Sequence, residues 1–63
     1  TNKQNAKYNL YLAKIYYYEF KEIEFDHRLM LANTYILDAL ELDPENKEIY
    51  NLFQKIIKDI NDQ

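Results

Sequence analysis

His27 is the one histidine of the 63-residue chain, and carboxylates stand close to it at Asp26 and Glu24. An imidazole beside a carboxylate is the pairing that acid–base work and nucleophile activation use. Covalent catalysis also needs a hydroxyl or thiol within reach of that imidazole. The chain has no serine and no cysteine; Thr34 comes two helical turns after His27, and Thr1 is terminal. A zinc centre needs three or four ligands at ordered spacing, which one histidine and scattered carboxylates do not provide. His27 therefore reads as a turn residue near a helix start.

Asp43, Glu45 and Glu48 are the other oxygen-rich group. A calcium loop built from them would need a glycine at its sharp turn and a final bidentate glutamate in register. The chain has no glycine, which also excludes phosphate-cradling loops and dinucleotide fingerprints. Paired carboxylates for glycoside cleavage need a cleft to hold the sugar between them, and a short helical chain offers none. The net charge of −3 and pI near 4.9 repel a phosphate backbone. These readings predict a protein that is not an enzyme, has no cofactor or small-molecule substrate, and does not bind nucleic acid.

The remaining residues of interest suit contact more than chemistry. Seven tyrosines occur, five of them within residues 8–18, and large amphipathic rings with few rotors supply interface area at low entropic cost. Glu19 falls by helical angle among Leu12, Ile15, Tyr16 and Ile23, where a buried charge is costly unless it finds a partner. Its flexible stem is expected to carry the carboxylate out to water; the alternative is an ion pair across an interface, with Arg28 or a lysine of another protein.

The elements that must hold these residues are helices. Valine and glycine are absent while leucine, isoleucine, glutamate, lysine and tyrosine dominate, a composition that favours helix over strand. Asp43-Pro44-Glu45-Asn46 is the one hard punctuation, and proline fits the first position of a helix starting at Pro44. Beyond it, Ile49, Leu52, Phe53, Ile56, Ile57 and Ile60 recur at spacings of three and four, the mark of one buried face. Before it, Leu29, Ala32, Tyr35, Ile36 and Ala39 make another such face, and Ala32 and Ala39 let a neighbour approach closely. The predicted helices are about 5–25, 27–42 and 44–61, in a single small domain over residues 1–63. Asp26 would begin the second helix, with Phe25 stapled onto Met30.

The first helix is apolar around most of its girth. One stripe runs Tyr8, Tyr11, Ile15, Tyr18; a second runs Leu10, Ala13, Tyr17, Phe20; Lys7, Lys14 and Lys21 give a wetted edge. Such a helix must be covered on more than one side. The stripe Leu10, Ala13, Tyr17, Phe20 is expected to face a partner, with Tyr11 and Tyr18 as further partner contacts and Glu19 as a buried polar group. An alternative architecture also fits. No glycine or proline interrupts residues 5–43, so one helix over 5–42, roughly 57 Å long at 1.5 Å per residue, followed by a short helix could build a dimeric bundle.

The run from Ala32 to Asn46 resembles the second helix and exit turn of a tetratricopeptide repeat. Ala32, Ile36, Ala39 and Pro44 fall in the family's order of small residue, bulky residue, alanine and proline, and Leu12-Ala13 followed by Tyr16 resembles the repeat's first helix. Two departures stand out. The interval from Tyr16 to Ala32 is about seven residues longer than a 34-residue repeat allows, and Gln54 occupies a place the family gives to a small residue. The resemblance implies a scaffold that binds other proteins without catalysis, represented here by about one and a half repeats.

The reading is thus an all-α chain: a helical hairpin plus a third amphipathic helix. It serves as a protein–protein interaction module whose partner is another protein or a second copy of itself. The alternative is a structural homo-oligomerisation module. No stretch approaches the ~20 apolar residues of a membrane span, Thr1–Asn5 reads as a processed boundary with no signal peptide, and compartment is left open.

Overall fold

A computed structural model describes residues 1–23 and 26–63 and places three α-helices in them, with no strand among the described residues: α1 (Asn2–Ile23), α2 (Asp26–Leu42) and α3 (Lys47–Asn61). The longest dimension is 33 Å, too short for a continuous helix over residues 5–42. α1 and α2 instead lie side by side. Tyr16 stacks on Tyr35 with ring centroids 5.6 Å apart, and Glu19 pairs with Arg28, so positions rising along α1 meet positions falling along α2 and the pair is antiparallel. Lys14 pairs with Glu48 and Lys21 with Asp59, so α1 and α3 run parallel.

The helix starts differ from the sequence reading at both ends of the chain. α1 opens at Asn2 because Thr1 and Gln4 form a reciprocal cap. The Gln4 amide donates to Thr1 Oγ1 at 3.1 Å, and the Thr1 ammonium donates to Gln4 Oε1 at 3.3 Å. This is the Thr-x-x-Gln form of a capping box. α3 does not begin at Pro44. Pro44 and Glu45 form a turn closed by the Asn46 amide on the Asp43 carbonyl at 3.2 Å, and Asn46 is the cap, its Oδ1 accepting from the amides of Glu48 and Ile49. The proline supplies the fixed φ of a turn's second residue. The expected staple from Phe25 falls on a residue outside the described ones.

Among the described residues the buried core is one cluster: Ala6, Leu10, Ala13 and Phe20 from α1, Leu29, Ala32, Ile36 and Ala39 from α2, Ile49 and Ile56 from α3. Ala6 and Ala13 stand seven residues apart, as do Ala32 and Ala39, and all four are fully buried. Methyl side chains at these positions bring the two backbones close, as ridge-into-groove packing requires. Full burial of Leu29, Ile36, Ile49 and Ile56 contributes about 1.5–3 kcal/mol each. α3 docks through Ile49 and Ile56, with Leu52, Phe53 and Ile60 half-buried around them.

Candidate functional site

The stripe of Leu10, Ala13, Tyr17 and Phe20, expected to face a partner, is the inner face of α1. Leu10, Ala13 and Phe20 are buried in the chain's own core, and half-buried Tyr17 packs against it. The physical reason is Ala6 and Ala13: the close approach to α2 requires small residues on α1 as well as on α2, and these fix which stripe turns inward. The other stripe is therefore the outer one. Tyr8 is 64 % exposed, Tyr11 63 %, Ile15 37 % and Tyr18 66 %. Of the six residues singled out for contact, Tyr11 and Tyr18 remain on the surface, and Tyr8 and Ile15 join them.

The edge of that stripe is basic. Lys7, Lys14 and Lys21 follow it at heptad spacing, and two of them reach α3: Lys14 to Glu48 at its start, Lys21 to Asp59 near its end, Nζ to Oδ2 3.1 Å. Below the lysines runs a shallow groove between α1 and α3, lined by Tyr17, Leu52, Asn51 and Lys55. The outer stripe thus borders this groove across the lysine edge.

Tyr17 anchors the other end of the groove. Its hydroxyl donates to Asp59 Oδ2 at 2.5 Å, its ring lies against Phe20 at 6.3 Å, and the Lys21 ammonium stands 5.4 Å from the ring centroid. Burial, then the Asp59 carboxylate, push the Tyr17 hydroxyl above its ordinary pKa of 10.0. The hydrogen bond from Tyr17, with Lys21 beside it, holds the Asp59 carboxyl below its ordinary 3.8. The Asp59 carboxylate in turn raises Lys21 above 10.5. The trio makes a clasp whose three partners are most favourably paired between the acidic and alkaline extremes.

Glu19 finds its partner within the chain. Its Oε1 lies 3.2 Å from Arg28 Nε, and the guanidinium caps the Tyr16 ring at 5.6 Å, continuing the Tyr16–Tyr35 stack across the hairpin seam. The ion pair is close in distance but not aligned as a hydrogen bond, so the attraction is chiefly coulombic. Both side chains are over a third exposed, and such pairs contribute little to stability.

The residues read for catalysis or metal binding are dispersed. His27 is exposed, the Thr34 hydroxyl donates to the Met30 carbonyl at 3.1 Å, and Glu24 lies outside the described residues. Asp43 accepts from the Asn46 side chain, and Glu48 is paired with Lys14. Among the described residues no three His, Cys, Asp or Glu side chains converge on a metal position, and no helix is long and apolar enough to cross a membrane. Comparison with protein-family models, with curated proteins and with solved structures returned no match.

Proposed function

We propose that this chain is a non-catalytic protein–protein interaction module whose contact surface is the outer face of α1. The observation that carries the reading is the row of Tyr8, Tyr11, Ile15 and Tyr18, three large rings and a branched aliphatic left exposed along one helix face. Aromatic rings of this kind are enriched at the centres of interfaces, and a continuous row of them on a small protein marks a binding surface more often than single exposed apolar residues do. Parallel α1 and α3, antiparallel α2, and Ala32, Ile36 and Ala39 buried in the seam are features that a tetratricopeptide hairpin shares with other three-helix modules. The partner is a protein surface; no nucleic acid, membrane, cofactor or small substrate enters the reading.

The test is a photo-reactive benzoylphenylalanine placed at position 11, compared with the same group at exposed Gln54 on α3, in cells that make the chain. The reading expects discrete protein adducts from position 11 that are absent from position 54 and lost when Tyr8 and Tyr18 are both changed to glutamate. Equal labelling from the two positions, or none from position 11, overturns it.

A further inference from the structure

We draw no further inference here: the strongest candidate, the exposed face of α1 formed by Tyr8, Tyr11, Ile15 and Tyr18, belongs to the surface already described, and nothing in the structure shows what covers it.

Discussion

Tyr17, on α1, donates its hydroxyl to the Asp59 carboxylate, on α3, at 2.5 Å, and this contact closes the far end of two parallel helices that otherwise share little apolar surface. α3 is held on α2 by Ile49 and Ile56, and on α1 by polar contacts at its two ends. Tyr17→Phe keeps the ring against Phe20 and removes only the donor. The variant is expected to lose about 1 kcal/mol, the usual worth of one such hydrogen bond, read as a lower midpoint in urea unfolding with an unchanged slope.

The same clasp sets the pH limits of stability. Asp59 titrates lower when folded than its ordinary 3.8, so its contribution is fully present above that value and disappears as pH falls through the lower, folded one. Tyr17 and Lys21 titrate higher than 10.0 and 10.5 when folded. Their contributions are present below those values and are lost as pH rises through the folded ones. Thermal midpoints followed from pH 2 to 12 should form a plateau that falls at both ends. Asp59→Asn is expected to lower the plateau and to flatten the acid limb; an acid limb unchanged in that variant would place its origin elsewhere.

Much of this architecture is written locally in the sequence, and the part that is not has a physical reason. The face of α3 is legible because polar and apolar residues there separate cleanly, Ile49, Leu52, Phe53, Ile56 and Ile60 against Lys47, Asn51, Gln54, Lys55 and Lys58; on α2 the buried Leu29, Ala32, Ile36 and Ala39 follow the expected stripe although Met30 and Leu37 stand exposed on the outward side. α1 is ambiguous because tyrosine is apolar enough to be buried and polar enough to face water, so two of its stripes read alike. The deciding signal was residue size. Ala6 and Ala13 repeat at the spacing of Ala32 and Ala39, and only the stripe containing them can come close to α2. The start of α1 at Asn2, ahead of the expected residue 5, was missed; its signal was the Thr1 and Gln4 pair three residues apart. The start of α3 was ambiguous because Asp43 and Asn46 are both good caps, and Pro44 suits a turn as well as a helix start.

Asn46→Ala separates those two starts. Removing the side chain that accepts from the Glu48 and Ile49 amides is expected to cost roughly 0.5–2 kcal/mol. Asp43→Ala removes only a hydrogen bond to Asn46 Nδ2 and should cost less. Urea midpoints of the two variants, measured side by side, check the order; a larger loss in Asp43→Ala would make Asp43 the cap.

The division of α1 into an inner and an outer stripe makes the sharpest contrast between two substitutions. Ala13 is fully buried in the hairpin seam, whereas Tyr11, two residues earlier, is mostly exposed. Glutamate at position 13 would be larger than the site and would carry a charge into a core with no cation to meet it, a loss on the order of 3–5 kcal/mol or more. That is as much as a single core in a chain this short usually supplies, so Ala13→Glu is expected to abolish the cooperative unfolding transition and most of the far-ultraviolet helical signal. Tyr11→Glu places the same carboxylate in water beside Lys7 and Lys14 and should leave both the signal and the transition within about 0.5 kcal/mol of wild type, as for most surface changes. If the two variants lose helicity equally, the outer stripe is part of the fold, and the surface on which the interaction reading rests does not exist.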